Sequence, residues 1–313
     1  MQKLQPRFNE TGHARMFKFY GCDLYPTPGS QLSGECPFLD CRSRSHSTPI
    51  NFFVNSMTGL WDCKVCGRAG NAYDFIRFYY EDCLRQTTDK DYEDLAAVRE
   101  GISPETFKHH GVCFSYITNE CMIPAYSHQR KKLINLYVWR QEATRQGPVM
   151  VVKGGPGFKQ VMFGLANLGS VRSKKLWIAE GPWDFYAMWE LFKTTKTDKH
   201  HEVLGCPGTN IPDEDLPLLN DRDLIFCGDN DAAGQQMVKN ACKKLGLRSI
   251  RPSSIRELYW SPGTDIGYDT RDLIKEHGPE VSLQTLIKNQ RPVKIDLSKA
   301  ASASYGAVER AIP

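Results

Sequence analysis

Four carboxylates sit where an α/β sheet would use them. Glu180 and Asp184 lie in Ala179-Glu180-Gly181-Pro182-Trp183-Asp184, directly after the apolar run Leu176-Trp177-Ile178. Asp229 and Asp231 lie in Gly228-Asp229-Asn230-Asp231, directly after Leu224-Ile225-Phe226-Cys227. Each apolar run has the length and composition of a buried strand, and each acidic group stands where that strand would end and a helix begin, which is where open α/β sheets carry ligands. Carboxylates converging from neighbouring strand ends repel one another unless cations fill the space, so the chemistry implied is a divalent-metal site.

A second constellation is made of sulfur. Cys36-Pro37-Phe38-Leu39-Asp40-Cys41 and Cys63-Lys64-Val65-Cys66 are two close cysteine pairs separated by twenty-one residues. Four thiolates presented from two knuckles suit tetrahedral Zn2+. His46, in the intervening loop, is the alternative to Cys41 as fourth ligand. The chain has eleven cysteines, an odd number at irregular spacing, and its first residues lack the apolar core of a signal peptide. Both features argue against a disulfide framework and for a cytoplasmic protein. No apolar run approaches the roughly 20 residues of a membrane span, so no membrane partner is expected.

Charge is distributed unevenly. The net charge is +4, but between Thr106 and Lys175 eleven basic residues stand against two acidic ones. A basic segment ahead of an acidic metal site suits a phosphate polymer as partner, with cations on the backbone and metals on the carboxylates; a solvated basic face is the plainer reading. No Walker A sequence occurs, which excludes a P-loop motor domain.

The elements that must position these groups follow from pattern. The pattern predicts a hairpin of Ile50 to Val54 and Gly59 to Asp62, then a helix capped by Asn71. Ser103-Pro104 opens a further helix, and Met122 to Tyr126 and Leu133 to Trp139 read as paired strands. From Leu176 onward short apolar runs alternate with helical segments. The strands are Leu176 to Ala179, Val203 to Cys206, Leu224 to Cys227 and Ser249-Ile250, and the helices are Trp183 to Lys193 and Ala232 to Leu245. Such alternation implies a mostly parallel sheet. The fold class expected is therefore multi-domain α/β: a small β-rich zinc ribbon followed by a core containing a Rossmann-like sheet. The divisions expected are 1–85, a linker at 86–102 in which Leu95 to Val98 is a candidate short helix, a basic subdomain at 103–175, the carboxylate domain at 176–290, and a tail or linker at 291–313.

Cys36-Pro37-Phe38, Thr48-Pro49-Ile50-Asn51-Phe52 and the run from Trp61-Asp62-Cys63 through Gly67-Arg68-Ala69-Gly70-Asn71-Ala72-Tyr73-Asp74-Phe75-Ile76 resemble the zinc-binding domain of DnaG-type bacterial and phage DNA primases. Glu180-Gly181-Pro182-Trp183-Asp184 and Asp229-Asn230-Asp231-Ala232-Ala233-Gly234 resemble the Toprim domain of the same proteins, with Leu204-Gly205-Cys206-Pro207-Gly208-Thr209 between them. Gly267-Tyr268-Asp269-Thr270-Arg271-Asp272 is similar to the family's third acidic element. The resemblance spans about Cys36 to Ile274. Departures are Leu39 and Cys41 where the bacterial pattern has a histidine ligand, and Tyr268 and Arg271 where primases commonly carry lysine and an acidic or amide residue. They point to a phage or mobile-element form, working in a bacterial or phage-infected cytoplasm.

The resemblance implies a DNA primase that makes short RNA primers on a single-stranded DNA template from ribonucleoside triphosphates, in partnership with a replicative helicase. It implies structural Zn2+ on Cys36, Cys41, Cys63 and Cys66, and catalytic Mg2+ or Mn2+ on Glu180, Asp229, Asp231 and Asp269. Glu180 is either ligand or general base, and Asp184 and Asp272 are either ligands or structural. Lys153 and Lys159, in a glycine-rich stretch that lets backbone approach phosphate, are expected to hold nucleotide or template, followed by Arg140 and Arg172. The alternatives are a metal-dependent Toprim nuclease and a noncatalytic zinc and Toprim DNA-binding recombination protein.

Overall fold

The computed structural model describes residues 12–42, 50–128, 131–144, 147–170 and 174–293. The chain forms two compact units. The first is drawn from Met1–Thr88, Gly111–Pro124 and Leu133–Lys159, the second from Asp89–His110, Ala125–Lys132 and Gln160–Pro313.

In the first unit, helix α1 (Gly12–Phe19) precedes a five-stranded antiparallel sheet of β1 (Leu24–Pro26), β2 (Gln31–Gly34), β3 (Phe52–Asn55), β4 (Trp61–Cys63) and β5 (Ala69–Gly70), with the short helix α2 (Leu39–Arg42) between β2 and β3. Helix α3 (Ala72–Gln86) starts at the expected cap: the Asn71 side chain accepts from the Tyr73 and Asp74 backbone N–H groups, and the Asp74 carboxylate accepts from Asn71 N. Aromatic packing carries much of the core under this sheet. Phe17, Phe38, Phe52, Trp61 and Phe75 interlock with ring centroids 4.7–6.3 Å apart. Of the aromatic residues flanking the cysteines, Phe52 and Trp61 are core and Phe53 is half-buried. A second sheet orders β6 (Cys113–Phe114), β7 (Cys121–Tyr126), β8 (Leu133–Thr144) and β9 (Gly147–Gly154) in sequence.

In the second unit, α4 (Asp89–Val98) and α5 (Pro104–His109) precede the sheet strands β10 (Lys175–Glu180), β11 (His201–Cys206), β12 (Asp223–Cys227), β13 (Ser254–Leu258) and β14 (Gln290–Pro292), joined by α6 (Gly181–Thr194), α7 (Ala232–Leu247) and α8 (Thr270–Lys288). Strand order is β11-β10-β12-β13-β14, parallel except for the antiparallel β14. From β10 the chain steps to β11 on one side and then crosses to β12 on the other. The crevice at the ends of β10 and β12 is thus a topological switch point.

Three details differ from the sequence reading. In the segment 86–102 the helix is longer than Leu95 to Val98: α4 begins at Asp89, because Tyr92 as well as Leu95 is buried. Residues 103–175 divide between the two units rather than forming one subdomain. The fourth parallel strand is Ser254–Leu258, not Ser249-Ile250: Ser249 adopts a left-handed φ of 54°, and Ile250 N donates to Leu245 O, closing α7. Past Gln290 the chain adds β14; the rest of 291–313 lies outside the described residues beyond Val293. Among the described residues no helix is long and apolar enough to cross a membrane.

The turn from β12 into α7 depends on glycine. A Cβ on Gly234 would stand 2.3 Å from Asp229 O and 2.7 Å from Asp229 N, both backbone atoms that cannot swing aside. Gly234→Ala is therefore expected to destabilise the second unit by at least about 2 kcal/mol. Thermal unfolding of the variant reads this out, and a stability matching that of the unsubstituted chain would contradict it.

Candidate functional site

Glu180 ends β10 and forms the cap position of α6, where its side chain makes no capping bond. Gly181 follows at φ +87°, a turn that favours glycine, and Pro182 starts the helix. Across the crevice Asp229 N donates to Glu180 Oε2 at 3.3 Å. Asp231 caps α7, its Oδ1 accepting from Gly234 N at 2.8 Å. Asp269 caps α8 in a reciprocal box with Asp272.

Asp184, left open between ligand and structural roles, is buried. Its Oδ1 accepts from Thr270 N at 3.1 Å and Arg271 N at 3.3 Å, tying the first turn of α6 to the start of α8. Both oxygens of Asp269 are engaged, Oδ1 by Asp272 N at 2.7 Å and Oδ2 by the Arg271 guanidinium at 3.1 Å. Arg271 thus offsets negative charge on that side of the site.

Electrostatically the cluster is under-compensated. Burial, then Asp184, Glu180, Asp269 and Asp231, push the Asp229 carboxyl up to about 9. Burial also raises Glu180, with the Asp229 N–H opposing and Asp231 adding, and raises Asp184 well above the usual range, with Asp269 adding. In the absence of a divalent cation, folded Asp229 therefore keeps, between about pH 4 and about pH 9, a proton that the unfolded chain has already released. Stability is fully present at the acid end of that window and lost as pH rises through it. The thermal midpoint without magnesium is expected to fall between about pH 6 and about pH 9, and Asp229→Asn should flatten the profile. A parallel decline in the variant would assign the effect elsewhere.

The oxygen donors and their mutual repulsion suit a hard divalent cation. Among the described residues, however, no three carboxylates bring oxygens within 4.8 Å of one another. Magnesium keeps several waters and is held by one or two carboxylates together with substrate phosphates.

The four cysteines do converge. Cys36, Cys41, Cys63 and Cys66 place their sulfurs within 4.8 Å of one another, with Cys36–Cys66 at 4.0 Å and Cys41–Cys63 at 3.5 Å. Sulfurs bound at about 2.3 Å around one tetrahedral ion would be about 3.8 Å apart, so the donor set fits zinc. Cys41 belongs to this set; His46 lies outside the described residues. Burial pushes the Cys41 thiol up to about 11 and raises Cys36 as well. For Cys63 burial is outweighed by the Cys66 and Val65 backbone N–H groups, which lie 3.5 and 3.4 Å from its sulfur, and the thiol is lowered.

Sequence reasoning passed over the groups that brace both centres. Asn51 Oδ1 accepts from Cys36 N at 3.0 Å and lies 3.8 Å from the Cys63 sulfur. Buried Asp82 accepts from Leu39 N at 3.0 Å and from Arg68 at 2.9 Å, and Arg68 also reaches Asp40 at 3.2 Å, so the α2 turn carrying Cys41 is clamped to α3. At the carboxylates, Trp260 Nε1 donates to Gly228 O at 3.0 Å, and the Asn230 amide donates to Thr264 O and Asp265 O, both at 2.9 Å. The placement of Asn230 between Asp229 and Asp231 was the one available signal; Trp260 had none.

The expected basic residues fare differently. Arg140 is committed internally: it donates to Phe19 O and Glu120 Oε2, each at 2.9 Å, and stacks on the Phe19 ring at 4.2 Å. Lys153 is exposed and paired with Glu142 at 2.5 Å. The Lys159 backbone carbonyl accepts from Asn135 Nδ2 at 3.1 Å. Arg172 lies outside the described residues. Packing accounts for glycine next to Lys153, since a Cβ on Gly154 would meet Asn135 Nδ2 at 2.7 Å and one on Gly155 would meet the Tyr20 hydroxyl at 2.2 Å.

Residues 177–265 match the family model described as Toprim-like, which spans β10 to the loop after β13 and contains Glu180, Asp184, Asp229 and Asp231. Among solved structures, the primase of Aquifex aeolicus with zinc-binding and RNA polymerase domains is 15% identical, with 90% of this chain and 86% of that chain covered and a TM-score of 0.46. A DnaG primase catalytic domain bound to single-stranded DNA is 15% identical over 74% of this chain and 80% of that one, with a TM-score of 0.49. The E. coli primase catalytic core is 14% identical over 74% and 81%, with a TM-score of 0.48. A comparison with curated proteins found no match.

Proposed function

We propose that this chain is a DNA primase, joining ribonucleotides into short primers on single-stranded DNA by metal-dependent nucleotidyl transfer. The observation that carries the reading is the pairing, in one chain, of a four-cysteine cluster with a Toprim-like sheet. In that sheet Glu180 and Asp229 meet across the switch point. Bound Mg2+ or Mn2+ would neutralise charge on the triphosphate and make the attacking 3′-hydroxyl more acidic. Glu180 and Asp229 would hold such an ion, with Asp231 at the head of α7. Glu180, raised by burial, is also suited to accept the proton of the 3′-hydroxyl. Asp184 acts on position: it holds the start of α8, and with it Asp269, against the β10–α6 turn. Asp269 and Asp272 shape the helix start, and Arg271 stands where it meets negative charge.

Zn2+ on the four cysteines would organise the ribbon for template binding, with Phe53 the aromatic residue near the surface. Lys153 and Lys159 remain the candidates for gripping template or nucleotide, and a helicase partner and a cytoplasmic location follow from the same reading. The test is synthesis itself: full-length protein, Mg2+ or Mn2+, single-stranded DNA of mixed sequence and labelled ribonucleotides should yield short RNA oligomers. Cleavage of labelled DNA without added nucleotides would favour a nuclease. DNA binding without turnover would favour a noncatalytic role.

A further inference from the structure

The second unit contains a cavity of about 520 Å3 that plays no part in the carboxylate site. Its wall includes Lys174, just ahead of β10, and His201 and Val203 at the start of β11. Since β10 runs the six residues from Lys175 to Glu180, this end of the sheet is about 16 Å from the carboxylates.

The charges on the wall are unbalanced. Its two carboxylates are already answered: Asp198 by Lys193 at 2.6 Å, and Glu202 by Arg222 at 2.8 Å. Lys174 donates to Asp198 O at 2.9 Å and stands 3.9 Å from Glu202. Lys131 is exposed on the rim, and among the described residues no carboxylate pairs with it. A cation is therefore left over, in a recess where low-dielectric walls strengthen its pull on an anion.

The polar groups are also oriented. His201 Nδ1 accepts from Trp177 Nε1 at 3.0 Å, and burial, with Lys175 and His200 adding, lowers the ring to about 4. The ring is thus neutral near pH 7 with its proton on Nε2, a fixed donor. His128 Nδ1 donates to Leu165 O at 3.1 Å, which leaves Nε2 as an acceptor in the neutral ring. Apart from Asn167, much of the remaining wall is aromatic: Phe185 and Phe192 from α6, and Trp189 with His109 stacked on it at 4.5 Å and 25°. A surplus cation, one fixed donor, one acceptor and aromatic walls around a volume of this size suit a ligand with a planar ring, hydroxyls and an anionic group.

We propose that this cavity binds a nucleoside phosphate, at a site separate from the carboxylate centre. The inference does not depend on the primase reading. Titration calorimetry of the full chain in magnesium-free buffer tests it, with AMP, adenosine and inorganic phosphate as separate probes. AMP is expected to bind at about one equivalent, at least about ten-fold more tightly than adenosine or phosphate alone. Lys131→Glu should weaken AMP by about ten-fold or more with an unchanged melting temperature, Lys131→Arg should retain it, and Asp229→Asn should bind as the unsubstituted chain does. Competition by a 5′-phosphorylated oligonucleotide would identify a strand end as the source of that chemistry, and lack of competition a free nucleotide. No saturable AMP binding, equal binding by Lys131→Glu, or loss of binding in Asp229→Asn would overturn the proposal.

Discussion

Asp229→Asn and Glu180→Gln are each expected to abolish measurable primer synthesis, a loss of about 10²–10⁴-fold for the group that moves the 3′-hydroxyl proton and at least as much for the group that holds the ion. The two residues meet through one contact, the Asp229 backbone N–H donating to Glu180 Oε2, at the ends of strands that lie side by side in the sheet. Neither substitution should unfold the unit. Asp229 is already pushed up to about 9, so replacing its carboxyl by a neutral amide removes repulsion rather than a stabilising pair. A raised melting temperature together with lost activity is the signature expected of Asp229→Asn. Asp184→Asn should behave differently, because Asp184 accepts two backbone N–H groups at the head of α8: it should lower stability and activity together. Unimpaired synthesis by Asp229→Asn would remove the carboxylates from the chemistry.

The second large effect lies in the cysteine cluster. Cys63→Ser or Cys41→Ser is expected to reduce bound zinc from about one equivalent to none after dialysis and to loosen the first unit, since metal affinity and folding energy are one quantity in a site of this kind. Cys63 ends β4 and its sulfur accepts from the Val65 and Cys66 backbone N–H groups, while Cys41 sits in the short α2 turn. Trp61 is two residues from Cys63 and packs on Phe38 and Phe52, so its fluorescence should report the loss. Arg68→Ala removes only the clamp through Asp82 and Asp40, and should lower zinc affinity by about 10–100-fold without abolishing it. Full zinc content in Cys63→Ser would show that the cluster is not a metal site.

Much of this was legible in local pattern. The caps at Asn71 and Ser103, the apolar runs that became β10, β11 and β12, and the helices after them follow from short-range rules that tertiary contacts did not override. The misread strand at Ser249-Ile250 shows the limit of such rules. A two-residue stretch with one apolar side chain is compatible with a strand or a helix closure, and the left-handed φ at Ser249 that decided the matter is a property of the folded chain. In 86–102 the short helix read at Leu95 to Val98 is the end of a longer one that starts at Asp89, because the polar run hid Tyr92, whose burial extends it.

By itself the sequence determined which residue types would stand at the strand ends and the spacing of the cysteines. Both depend only on covalent order and on the length of a strand or knuckle. Tertiary structure alone decided what those groups do with their oxygens and nitrogens. It turned Asp184 and Asp269 inward to helix starts, spent Arg140 on Glu120 and Phe19, and set Trp260 against Gly228 from thirty-two residues away. The physical reason is that a carboxylate or guanidinium takes whichever partner the fold brings within hydrogen-bond reach, and partners distant in sequence leave no local trace.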